Sequence, residues 1–137
     1  MQDGSGLTEW TYDAASRVAT YKQNAVDRKI TYSYQNEGGR LSMSVDRISA
    51  PGSPWTTNYT YDAAGRLKTV QDAQTGTFTY TWALNASLVS EILMPGGAKQ
   101  VKSYDALARL KEIKALNSTG AAVNRFTYAY DKANERK

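Results

Sequence analysis

Carboxylate and guanidinium recur at one spacing: Asp13 with Arg17, Asp62 with Arg66 and Asp105 with Arg109, each four residues apart. Carboxylates so placed could ligate a metal or work as a catalytic acid–base pair. Either role needs one special constellation, whereas these pairs come back once per stretch of similar sequence. The expected role is therefore structural, an ion pair across a tight turn, where an exposed pair is worth only about 0–1 kcal/mol. The chain has no cysteine and no histidine. That removes disulfides, thiolate metal sites, cysteine nucleophiles, histidine zinc sites and imidazole catalysis. Serine, lysine and tyrosine are present, but Gly-x-Ser-x-Gly, Ser-x-x-Lys and phosphate-loop patterns are not. Pro95-Gly96-Gly97-Ala98-Lys99 lacks phosphate-loop spacing and reads as a hairpin turn. No enzymatic activity, cofactor or metal is expected.

The pairs belong to a longer repeat. Trp10-Thr11-Tyr12-Asp13-Ala14-Ala15-Ser16-Arg17-Val18 returns as Tyr59-Thr60-Tyr61-Asp62-Ala63-Ala64-Gly65-Arg66-Leu67, and again at Tyr104-Asp105-Ala106-Leu107-Ala108-Arg109-Leu110. Looser copies are Tyr32 to Leu41, with Tyr34, Gly39 and Arg40 and read as one residue longer, and Tyr80 to Leu88, with Trp82. A last copy runs from Tyr128, with Tyr130, Asp131 and Arg136. In the fourth copy Ala83 replaces the aspartate and Ser87 the arginine, a joint loss that pairing predicts. Six units at steps of 21 to 27 residues make the chain a repeat array.

Each unit reads as a β-hairpin. Tyr-Thr-Tyr alternates at period two, so both aromatics face one side. Asp-Ala-Ala-Gly reads as a type I turn with the aspartate accepting backbone N–H groups and Gly65 in the left-handed position. Further turns fall at Gln23-Asn24, Ala50 to Pro54, Asp72 to Gly76, Pro95 to Gly97 and Asn117 to Gly120. The 10 Tyr and 3 Trp, with many Thr, suit a pleated and half-exposed surface. Leu107, Leu110, Ile113 and Leu116 would also pass as a helix over 105–116, but alignment with the other units favours a strand.

The expected fold is all-β: an antiparallel meander of about twelve strands forming a curved strip, a partial shell that stays open or curls into a barrel. Residues 1–6 are expected to be a flexible leader and residues 7–137 one continuous strip of six hairpins. Inner and outer faces stay open, because bulges could shift parity between units.

Tyr61-Asp62-Ala63-Ala64-Gly65-Arg66-Leu67 resembles the core signature of RHS/YD repeats. The units at Tyr12, Tyr104 and Tyr130 agree with it, and those at Tyr34 and Trp82 are degenerate members. The resemblance covers nearly the whole chain from Leu7. It implies a non-catalytic segment of a large secreted or surface protein: a polymorphic bacterial toxin, a Tc toxin cocoon or a teneurin. In that family hairpins form a strip that winds into a hollow shell, which in bacterial members encloses a toxin. No Asp-Pro-x-Gly boundary motif is present, so the family's self-cleavage does not carry over. Twelve strands at about 4.8 Å make a strip roughly 58 Å wide. Encircling a cargo of about 34 Å diameter once needs on the order of 105 Å, so this chain reads as a piece of wall.

The implied partners are a polypeptide cargo or neighbouring repeats, with self-association through unpaired strand edges. The runner-up is an extracellular carbohydrate-binding module that stacks sugars on Trp10, Trp55 and Trp82. Against it, alternating aromatics usually pack across strands; Trp55, beside a long loop, is the exception. Nucleic-acid binding is disfavoured. The net charge is +4, acids intersperse with Lys99, Lys102, Arg109, Lys111 and Lys114, and no RRM, OB or helix-turn-helix pattern occurs. No apolar run approaches the roughly 20 residues of a membrane helix, and no signal peptide is seen.

Overall fold

A computed structural model of the chain describes residues 2–3, 6–83, 87–131, 133, 135 and 136. Met1, Gly4 and Ser5 of the expected leader, residues 84–86 of the fourth turn, and Lys132 and Asn134 of the sixth lie outside the described residues. The architecture is all-β and antiparallel. Its strands are β1 (Gln2–Asp3), β2 (Gly6–Tyr12), β3 (Val18–Gln23), β4 (Arg28–Tyr34), β5 (Arg40–Asp46), β6 (Trp55–Tyr61), β7 (Leu67–Asp72), β8 (Gly76–Trp82), β9 (Val89–Leu93), β10 (Lys99–Tyr104), β11 (Leu110–Leu116) and β12 (Ala122–Thr127). Among the described residues the one helical piece is a 3₁₀ turn, Asn24–Val26, which reverses the chain between β3 and β4.

The count of twelve is reached differently from the sequence expectation. Within the segment read as a leader, Gln2 and Asp3 form β1, paired with Leu7 and Gly6. The return strand of the sixth unit is reduced to one bridge, Tyr130 with Arg136. Residues 105–116, which could have been a helix, are a turn followed by β11.

The chain divides into two compact units, Met1–Gly76 and Thr77–Lys137. In the first, each strand from β1 to β6 pairs with the one that follows it. In the second, β8 to β12 do the same. Register sorts side chains into rows, because alternate residues of a strand share a face. One row of the first unit is Trp10, Tyr21, Ile30, Val45 and Trp55, one residue from each of β2 to β6. The next row, on the opposite face, is Thr11, Thr20, Thr31, Ser44 and Thr56. Hydroxyl pairs bridge strands on that polar face, Thr11 with Thr20, Ser33 with Ser42 and Thr60 with Thr69, each at 2.6 Å. On the apolar face Trp10 and Tyr21 meet with ring centroids 5.6 Å apart. In the second unit the corresponding row is more polar: Tyr80, Ile92, Gln100, Ala115 and Asn124.

The first five motif hairpins carry a bulge at one place, just before the second aromatic: Thr11/Tyr12, Ser33/Tyr34, Thr60/Tyr61, Thr81/Trp82 and Ser103/Tyr104. Parity is therefore shifted equally in these five hairpins. No hydrophobic side chain among the described residues is fully buried. The hairpins are held by backbone ladders, cross-strand pairs worth about 0.2–1 kcal/mol each, and the turns.

Candidate functional site: the repeated hairpin turn

Three of the predicted Asp–Arg turns are near-identical. The N–H of Asp13 donates to the carbonyl of Arg17 at 2.9 Å, and the N–H of Ser16 donates back to that of Asp13 at 3.0 Å. Asp62 and Asp105 repeat both bonds with Arg66 and Gly65, and with Arg109 and Ala108. This is a type I turn closed by one left-handed residue. That residue is Gly65 at φ 73°, but Ser16 at 59° and Ala108 at 61° in the sister units. Their side chains strain the backbone there.

The carboxylate fills the turn. Asp13 Oδ1 accepts the N–H groups of Ala15 and Arg17, both at 2.9 Å, and its Oδ2 accepts Arg17 Nε at 2.7 Å. Asp62 does the same with Ala64 and Arg66, and Asp105 with Leu107 and Arg109. All three carboxyls are held below the ordinary aspartate range. For Asp13 and Asp105 the backbone N–H of the arginine is the largest cause, and for Asp62 the arginine side chain. Both oxygens of each carboxylate are thus engaged within the turn.

The arginine and the tyrosine then join consecutive hairpins. Arg17 Nη1 donates to the carbonyl of Gln35 in the next turn at 2.9 Å, and its guanidinium lies 4.6 Å from the centre of the Tyr34 ring. Arg109 lies over Tyr130 in the same way, at 4.5 Å. The second aromatic of a unit donates its hydroxyl to the carbonyl that opens the preceding return strand. Tyr34 reaches Val18, Tyr104 reaches Val89 and Tyr130 reaches Leu110, each at 2.8 Å, and Tyr61 reaches Arg40 at 2.9 Å. Alternation had placed these rings on one face but could not reveal the hydroxyl link. It spans 15 to 21 residues and depends on the strand spacing.

The degenerate units differ from their reading by residue type. In the second, the N–H of Gln35 bonds the carbonyl of Gly39 and Tyr34 faces Arg40. Gly39 thus holds the place of the paired arginine, Gly38 is the left-handed residue at φ 96°, and the turn has ordinary length. The extra residue belongs to the fourth unit, where Ala83 bonds Leu88 and Trp82 faces Val89. Leu88, rather than Ser87, stands where the arginine would be. In the sixth unit Asp131 bonds Glu135, so Glu135 takes the arginine position and Arg136 falls one residue beyond. Arg40 and Arg136 therefore pair with no turn aspartate. Each covers the first aromatic of its own hairpin, Tyr32 at 4.6 Å and Tyr128 at 5.3 Å. A β-carbon on Gly39 would crowd the Gln35 side chain at 2.5 Å and stand 3.0 Å from Cε2 of Tyr61, so the glycine makes room for both.

The other edge reuses the device. Asn117 Oδ1 accepts the N–H groups of Thr119 and Ala121, and Gly120 takes the left-handed place at φ 85°. Asp72 is 9% exposed and accepts the N–H groups of Gln74 and Thr75 and the indole N–H of Trp55. These bonds, that from the Thr75 N–H first, lower its pKa to about 2. Of the three tryptophans, Trp10 packs on Tyr21, Trp82 is half-buried, and Trp55 is 53% exposed. Trp10 and Trp55 stand at opposite ends of a five-strand row, about 19 Å apart at ordinary strand spacing.

Comparison with curated protein sequences finds no match. Among solved structures, the crystal structure of TcdB2-TccC3-Cdc42 matches with a TM-score of 0.80 at 15% identity, over 94% of this chain and 7% of that one. The crystal structure of TcdB2-TccC3 without its hypervariable C-terminal region matches with a TM-score of 0.77 at 16% identity, over 94% of this chain and 6% of that one. The chain thus spans a small fraction of the length of the proteins whose fold it shares. The family model for the teneurin YD-shell matches residues 1–128, and the chain belongs to that family of structural shells.

Proposed function

We propose that the chain is a non-catalytic length of shell wall that encloses or holds another polypeptide, its residues 7–137 working as one strip. The observation that carries this reading is the linkage between hairpins. Asp13, Asp62 and Asp105 are each consumed by their own turn, and the hydroxyls of Tyr34, Tyr61, Tyr104 and Tyr130 are each spent on the preceding hairpin, an arrangement that builds a surface. Among the described residues no cluster of three His, Cys, Asp or Glu side chains could hold a metal. The half-exposed aromatic rows suit a sheet that curves round something else. The fold shared with TcdB2-TccC3 supports reading the cargo as toxin-type and the location as secreted or surface. No helix among the described residues is long and apolar enough to cross a membrane. Outside the shell, β12 would favour self-association, since all six of its side chains are exposed.

The test uses the natural polypeptide that carries this segment. A cargo inside a wall should resist a broad-specificity protease under native conditions and become cleavable once denaturant opens the shell. Prompt digestion of the remainder at native conditions, with the hairpins intact, would overturn the enclosure.

A further inference from the structure

A cleft of about 290 Å³ opens on the polar face of the first unit, where β3, β4 and β5 meet the loop before β6. We infer that it binds a phosphomonoester dianion, held by Lys22, Lys29 and Arg47 and by the hydroxyls of Thr31 and Ser44. Register brings these groups together. Lys22 faces Lys29 across β3 and β4, and one row along Thr31 faces Ser44 across β4 and β5. Ile48, Pro51 and Pro54 line the cleft from the loop. That apolar wall keeps water from one side and strengthens the charges it borders.

Like charges placed directly opposite each other destabilise a ladder unless something neutralises them. The nearby acids do so only in part. Glu9 reaches Lys22 at 3.6 Å. Asp46 faces Lys29 in register, but its oxygens accept the N–H groups of Arg47 and Gly52. Lys29 is half-buried and has no ion pair or side-chain hydrogen bond among the described residues. Arg47 is 65% exposed and reaches Asp27 only at 3.9 Å, while Asp27 is held by Ser49. The hydroxyls of Thr31 and Ser44 also lack side-chain partners among the described residues. Other facing hydroxyls on this side bond each other at 2.6 Å, Thr11 with Thr20 and Ser33 with Ser42. The cleft therefore gathers cations and hydroxyl donors from three strands and a loop. A carboxylate, with its oxygens in one plane, would leave most of those donors unmet. A phosphomonoester carries nearly two negative charges and presents three acceptor oxygens in different directions, which suits ammonium groups and hydroxyls together. No aromatic side chain among the described residues lines the cleft, so recognition rests on the phosphoryl group.

The probe is glycerol 3-phosphate, titrated by calorimetry at low salt into the full chain. Saturable binding is expected, at least fivefold tighter than that of acetate and weakened by added salt. Binding should fall at least threefold from about pH 8 to about pH 5, as the ester takes up its second proton with a pKa of about 6. The chain has no histidine to account for such a step. Lys29→Gln should weaken binding at least fivefold while leaving the melting temperature unchanged or raised, since it removes the repulsion from Lys22. Thr31→Val should weaken binding at least twofold, and Lys102→Gln, in the second unit, should leave it unchanged. Phosphatidylcholine vesicles doped with phosphatidate identify the source. Co-sedimentation abolished by Lys29→Gln places the phosphate on a lipid, and no co-sedimentation places it on a soluble ester. No saturable binding of glycerol 3-phosphate, equal affinity for acetate, or unchanged affinity in Lys29→Gln would each overturn the inference.

Discussion

Two sister turns put opposite residues in one conformation, which allows a reciprocal substitution. Gly65 sits at φ 73° and Ala108 at φ 61°, each the residue that closes its Asp–Arg turn. A β-carbon in the left-handed region costs about 1–2 kcal/mol, and glycine gives back roughly 0.5–1 kcal/mol through the freedom it adds to the unfolded chain. A β-carbon built on Gly65 meets nothing within 4 Å, so no packing enters the balance. Gly65→Val is therefore expected to destabilise by more than about 1 kcal/mol, with β-branching adding to the backbone cost. Ala108→Gly is expected to stabilise by about 0.5–1 kcal/mol. For a chain of this size, 1 kcal/mol moves the melting temperature by roughly 3–5 °C. Thermal unfolding followed by far-UV circular dichroism should show the two variants moving in opposite directions. Gly65→Asn should fall between wild type and Gly65→Val, since asparagine tolerates this region. An unchanged melting temperature for Gly65→Val, or a loss in Ala108→Gly, would refute the turn assignment.

Tyr34→Phe removes the hydroxyl bond to Val18 while keeping the ring under Arg17, and should cost about 0.5–1.5 kcal/mol in chemical denaturation. Gly39→Val should cost more than about 1 kcal/mol by crowding the Tyr61 ring, and hydrogen exchange should rise at the start of β5 and in the turn after β6. Asp72 titrates at about 2 in the fold, below its unfolded value of about 3.9. Its contribution is complete above about pH 4 and fades as the pH falls toward about 2. Asp72→Asn should flatten that part of the acid-unfolding curve and alter Trp55 fluorescence at neutral pH. A mutant curve parallel to wild type would show that the carboxylate is not selectively bound.

The hairpins, their turns and the Asp–Arg pairing were legible because each is written over a few adjacent residues. Asp62, Gly65 and Arg66 carry the turn in their own spacing, and Tyr59 and Tyr61 carry the strand. Register in the worn copies was not legible. Arg40 and Arg136 look like the paired arginine by type, but backbone bonding puts Gly39 and Glu135 in that place. Ser87 looks like the substitute in the fourth unit, but the longer turn delivers Leu88. Residue type cannot resolve a shift of one when the ion pair that would fix it is gone. The hydroxyl links from Tyr34, Tyr61, Tyr104 and Tyr130 join residues far apart in the chain and become visible only once strand spacing is known. The Asp72–Trp55 bond is of the same kind, though the buried carboxylate at a turn entrance had a local hint in Asp72-Ala73-Gln74-Thr75-Gly76.

The fourth hairpin closes across one more residue than its sisters, yet Thr81 still faces Glu91 beyond the same bulge. The added residue leaves the pairing of β8 with β9 in place. Foreign sequence spliced into such a tip would be displayed without disturbing what lies on either side. A single residue added within a strand would instead turn the rows beyond it over to the wrong face.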